Sequence, residues 1–184
     1  MTQHEYVFVA ISIILGFAIT RLLGSAADMI RVSRNVTFHW ATALWALCVM
    51  LFILQLWWVG WELHSFSQWT ILDFFALVLG AIFIYGAAEL ALPREDYDIS
   101  DHSELDFLEH SRSLGRGSAL SMLGYFAVGP HVNISLFGNP PLPSIGIPLT
   151  GAALMLLIAG KPAWFKPLVS VFTCYALLIL YLTA

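Results

Sequence analysis

Tyr6-Val-Phe-Val-Ala-Ile-Ser-Ile-Ile-Leu-Gly-Phe-Ala-Ile-Thr20 is an uncharged run closed by Glu5 on one side and Arg21 on the other. Such a run is short for a bilayer core. Arg21 lengthens it by laying its stem along apolar surface and placing its guanidinium at the headgroup level. The flanks orient it: the N-terminus has no Lys or Arg and is expected outside, whereas Arg21, Arg31 and Arg34 follow inside. Gly24-Ser25-Ala26-Ala27 would suit a signal cleavage site, but no basic residue precedes the apolar run. The segment therefore reads as a retained first span, continuing as helix towards Arg34.

The rest of the chain has the same character. Of its 184 residues 59% are hydrophobic and 11% charged, and mean hydropathy is +0.81. A soluble domain carries about a quarter charged residues, so the deficit places the chain in the membrane class. The fold expected is all-α: an integral bundle of six transmembrane helices in one domain, with both termini outside. The spans fall near 6–24, 40–61, 70–92, 114–137, 144–160 and 167–183, with a cytoplasmic segment at 93–113. Trp57, Trp58 and Trp61 suit an outer interfacial belt, and Trp40 and Trp45 an inner one. Gly138-Asn-Pro-Pro-Leu-Pro143 predicts a solvent-reaching break between the fourth and fifth spans, because three prolines remove amide donors and fix φ. Pro130 and Pro148 predict kinks. Between spans three and four, Ser103-Glu-Leu-Asp106 looks like a helix start, and His110 and Arg112 suit its end. A short amphipathic surface helix is expected there.

Charge supports this topology. Arg21, Arg31, Arg34, Arg94, Arg112, Arg116, Lys161 and Lys166 all fall on the proposed inner segments, and these are all the Lys and Arg residues of the chain. Seven of the twelve acids lie between Glu95 and Glu109, giving an acidic cytoplasmic loop over 94–112 that suits a protein partner. No basic stripe marks a nucleic-acid interface. Cys48 and Cys174 lie in apolar runs and read as small buried hydrophobes.

Glu5-Tyr6 with Ser12-Ile-Ile-Leu-Gly-Phe-Ala-Ile-Thr-Arg-Leu-Leu23 resembles the opening of a group of small uncharacterised bacterial polytopic membrane proteins. His39-Trp40-x4-Trp45, Gln55-Leu-Trp57-Trp58 and Trp61 extend the resemblance across the first three spans. It implies a multi-pass protein of the bacterial inner membrane and carries no activity to transfer.

Two groups of residues bear candidate chemistry. Arg21, Glu89, Gln55 and Asp73 form the expected intramembrane polar network. Glu5 to Arg21 and Asp73 to Glu89 are equal steps of sixteen residues. On two inward-running helices each descends roughly 24 Å, placing Arg21 and Glu89 at one depth as a predicted ion pair. His4, Glu5, Glu62, His64 and His131, together with Asp73, gather on the outer side as a possible ligand cluster. Imidazole and carboxylate suit a divalent metal, yet the spacing matches no known site and ordinary interfacial polarity is the default. No organic cofactor is expected, and no histidine pair is placed for haem. Ser12, Gln55, Tyr85, Tyr125 and Asn133 suit interhelical hydrogen bonds. The chain has no Gly-rich phosphate loop, no His-Glu-x-x-His and no serine-nucleophile motif, so an enzyme is not expected.

Two functions fit. One is a small ion or solute transporter or channel-like protein acting as an oligomer. Three spans followed by three would invert the halves, as many transporters do, although no residue-level match joins them. The other is a non-catalytic membrane subunit or sensor that binds a partner through the loop 94–112.

Overall fold

The computed structural model describes residues 2–31, 39–92 and 107–183, with side chains of the last stretch described from Gly115. Six long helices follow in order: α1 Gln3–Arg31, α2 Trp40–Glu62, α3 Ile71–Glu89, α4 Phe107–His131, α5 Pro141–Gly160 and α6 Phe165–Leu182. No strand occurs among the described residues. Five of the six, all but α4, are long and apolar enough to cross a membrane. Their outward faces are themselves apolar, with Phe17, Leu47, Phe75, Leu149 and Leu178 all exposed. Lipid-facing surface has this composition, and the chain is of multi-pass membrane type.

The helix starts follow local chemistry. Thr2 and Glu5 exchange side-chain-to-backbone hydrogen bonds at the head of α1. His39 caps α2, its Nδ1 accepting from the Ala41 amide at 3.1 Å. Thr70 and Asp73 form a reciprocal capping box at α3, satisfying amides that a helix start leaves without partners. That box begins α3 at Ile71, and the helix stops at Glu89 rather than 92, closing through a turn at Leu90 two residues short of the Leu92–Pro93 bond.

Buried positions recur at coiled-coil spacing: Val7, Ile11, Leu15, Ala18, Leu22 and Ser25 on α1, and Asp73, Leu77, Gly80, Ile84 and Ala87 on α3. Contacts fix relative directions. Tyr6 meets Phe74 and Arg21 meets Glu89, so α1 and α3 run parallel. Asp73 meets His131 and the Ala87 carbonyl meets Ser118, so α4 runs against α3. The α3–α4 seam is narrow because small residues line it. A Cβ on Gly86 would lie 2.5 Å from Ser121 Oγ, and one on Gly124 would lie 2.5 Å from the Phe83 ring. Ser121 and Ser118 hydroxyls donate to the Phe83 and Ala87 carbonyls at 2.6 and 2.7 Å. Helices in lipid associate in this way, by close backbone approach and hydroxyl bonds. The two halves of the chain pack differently: α1 lies along α3, whereas α6 packs mainly on α2 and α5.

Several expectations are corrected. The break between α4 and α5 is present but shorter, at Gly138–Pro140, with Gly138 at φ 64°. Pro141 and Pro143 belong to the first turn of α5, where missing N–H groups have no helical acceptor to lose. Residues 103–106 of the expected surface helix lie outside the described residues. From Phe107 the backbone is already in α4 and runs unbroken to His131, so 107–112 are not part of a separate short helix. Pro130 is inside α4 and is followed by a π-helical segment, Val132–Leu136, an unexpected feature. Trp45 is not an interfacial residue. It is 1% exposed, donates from Nε1 to Ser118 at 2.9 Å and packs on Phe172. Its face also carries Cys48, Val49 and Phe52, all buried. Cys48 is buried but Cys174 is exposed on α6.

Candidate functional site

At one end of α3 stands Glu89. Arg21 Nε lies 2.6 Å from Glu89 Oε2, with the two side chains 19% and 30% exposed. The approach is close but off-line, so Nε takes part in an ion pair without a satisfied hydrogen bond. Mid-helix, near Gly80, Tyr125 of α4 donates to Gln55 Oε1 of α2 at 3.5 Å, a long bond in an otherwise apolar layer. At the other end, Asp73 is buried and makes three side-chain contacts of note. Its Oδ2 accepts from the Thr70 amide at 2.9 Å and the Thr70 hydroxyl at 2.7 Å. Its Oδ1 lies 2.9 Å from His131 Nε2.

His131 closes α4, and the π-helical segment places Ser135 on the same face, with Oγ 3.4 Å from His131 Nδ1. A carboxylate only accepts, so Nε2 is the donor towards Asp73, and in the neutral ring Nδ1 accepts from Ser135. An open groove of about 500 Å³ lies over this chain, lined by Ser65, Phe66, Ser67, Gln68, Thr70, Asp73, His131 and Ser135.

The expected four-residue network is therefore three separate contacts. Arg21 and Glu89 come together; Gln55 pairs with Tyr125; Asp73 pairs with His131, a residue assigned by sequence to the outer cluster. Asp73 was expected beside that cluster too, and beyond this pair the cluster does not gather. His4 Nε2 donates to the Gly60 carbonyl at 2.9 Å and stacks on Phe8. Glu5 belongs to the α1 cap, Glu62 accepts from Trp58 Nε1 at 3.0 Å, and His64 donates to the Trp61 carbonyl. Among the described residues no three His, Cys, Asp or Glu side chains converge as a metal site would need. Ser12 Oγ is buried without a partner, contrary to its expected interhelical bond.

Sequence reasoning missed Ser135 and Thr70. Thr70-x-x-Asp73 is a capping pattern and His131-x3-Ser135 is a same-face pair, so both signals were present. No protein-family model matches the chain, and neither a curated protein nor a solved structure matches it.

Proposed function

We propose that this protein is a six-span transporter or channel-like protein for a small ion or solute, with both termini outside, acting as an oligomer in a bacterial inner membrane. One observation carries the reading: α3 bears a carboxylate near each end, and each is engaged by a basic side chain from another helix. Gln55 and Tyr125 lie between them. Ionisable groups within spans are costly, and they mark ion and solute pathways when they are kept.

Supporting the sixth span, the uncharged run from Gly117 continues through α4 and the π-helical segment to Leu136. Supporting the orientation, the described Lys and Arg residues fall in the C-terminal half of α1, at the C-terminal end of α5 and on the N-terminal parts of α4 and α6. Positive-inside bias assigns those ends to the cytoplasm. Self-association is favoured by the open face of α1, where nothing lies within 4 Å of a Cβ added at Gly16 or Gly24.

The test is flux into purified proteoliposomes loaded with a pH-sensitive dye, under imposed proton, sodium or potassium gradients. Transport predicts a signal that Glu89→Gln reduces. An absent signal, with a co-purifying protein lost on deleting 97–110, would instead favour the membrane subunit that binds through its acidic loop.

A further inference from the structure

We propose that Ser135 is a nucleophile activated by His131 and Asp73, and that the groove above it hydrolyses carboxylic esters of amphiphiles at the membrane surface. This goes beyond transport: it shares the Asp73–His131 contact with that reading and adds Ser135 and the groove. Ser135 is exposed at the groove, its Oγ 3.4 Å from His131 Nδ1. The opposite ring nitrogen is 2.9 Å from Asp73 Oδ1. Asp73 is itself immobilised, its other oxygen taking two donors from Thr70. A nucleophile, a base within reach and a buried group that orients the base make up the arrangement that activates a hydroxyl. The serine–histidine distance is loose, as it commonly is before substrate binds.

The tautomer follows from the partners. With Nε2–H donated to Asp73, Nδ1 presents its lone pair to the Ser135 hydroxyl. Attack of Oγ on the ester carbonyl forms the Oγ–C bond while the hydroxyl proton passes to Nδ1 and the carbonyl electrons move onto oxygen. Collapse breaks the ester C–O bond, and the leaving alcohol takes the proton from Nδ1. Water then repeats the sequence against the acyl-serine, releasing the acid and restoring Ser135. Gln68, Ser65 and Ser67 line the same groove and carry the N–H and O–H groups available to a developing oxyanion there.

The substrate class follows from the surroundings. The groove is open and of mixed polar and apolar surface, of a size for the ester and headgroup end of an amphiphile. Ile71, Leu72 and Phe75, on the first turns of the same helix though not in the groove lining, expose apolar side chains, which suits a substrate presented from lipid.

The experiment uses the full-length protein in detergent micelles, with a fluorophosphonate probe and p-nitrophenyl octanoate. The probe should label Ser135, identified by mass spectrometry of the peptide. Ser135→Ala should abolish labelling, and His131→Gln should slow both labelling and ester cleavage by about 100-fold or more. Ser135 is exposed, so its alanine variant should keep the wild-type helical circular dichroism, which separates loss of chemistry from loss of fold. Absent labelling in the wild type, or labelling at another residue that survives Ser135→Ala, would overturn the assignment. The readout involves no flux, so it fails or succeeds independently of transport.

Discussion

At one end of α3 Glu89 is met by a guanidinium from α1; at the other, Asp73 is held by its own helix cap and by an imidazole from α4. The first contact joins two long side chains that keep part of their surface free, at 19% and 30%. The second uses a short carboxylate with 6% of its side chain exposed, held by the Thr70 amide and hydroxyl of its own helix cap and by His131. A long, partly solvated pair tolerates relative helix movement. A capped carboxylate does not, because moving it would unwind the first turn of α3. The difference teaches where the bundle has freedom: the Arg21–Glu89 end is suited to rearrangement, and the Asp73–His131 end to holding a geometry.

Three single substitutions and one double change test this contrast. The largest effect is expected where the seam joins the two ends. Gly124→Leu forces a side chain into the Phe83 ring, which a Cβ alone would approach to 2.5 Å. It should cost about 2–3 kcal/mol, read as a lower unfolding midpoint in detergent, and uncouple both ends together. A neutral result would mean that α3 and α4 are not closely packed.

At the Glu89 end, Arg21→Ala alone removes a charged partner from a partly buried carboxylate and should cost about 1–2 kcal/mol, reduced from the buried-pair range by partial exposure. Changing Arg21 and Glu89 together to leucine should cost less than Arg21→Ala. Simple additivity in a double-mutant cycle would remove the pair from the account. At the Asp73 end, Thr70→Ala should cost about 1 kcal/mol through loss of the cap. It should also increase amide exchange in the first turn of α3 while leaving the Glu89 end unchanged. Equal loosening at both ends would erase the distinction between them.

The Arg21–Glu89 contact was legible because depth along a helix is a ruler. Equal sixteen-residue steps on two parallel helices bring their ends level. Asp73 and His131 were likewise legible as neighbours on the outer side, but Ser135 was not, since its place beside His131 depends on the π-helical turn after Pro130. Burial was harder still. In a membrane helix both lipid and core faces are apolar, so hydropathy does not say which one is inside. Trp45 shows this: it reads as a belt residue by composition and lies in the core by packing. Cys174 errs in the opposite direction. The helices were legible as apolar runs and their ends as caps and prolines, whereas α3 closes early at its Leu90 cap and α4 is already helical at Phe107, boundaries that hydropathy does not set.

In the proposed topology the two ends of α3 lie on opposite sides of the membrane, Asp73 outside and Glu89 inside. Single cysteines at Gln68 and Lys161, placed in a background with Cys48 and Cys174 changed to alanine, test it directly by reaction with a membrane-impermeant maleimide in intact bacterial cells. The account predicts rapid labelling of Gln68→Cys before lysis and of Lys161→Cys only after it. Labelling of both in intact cells, or the reverse order, would contradict it.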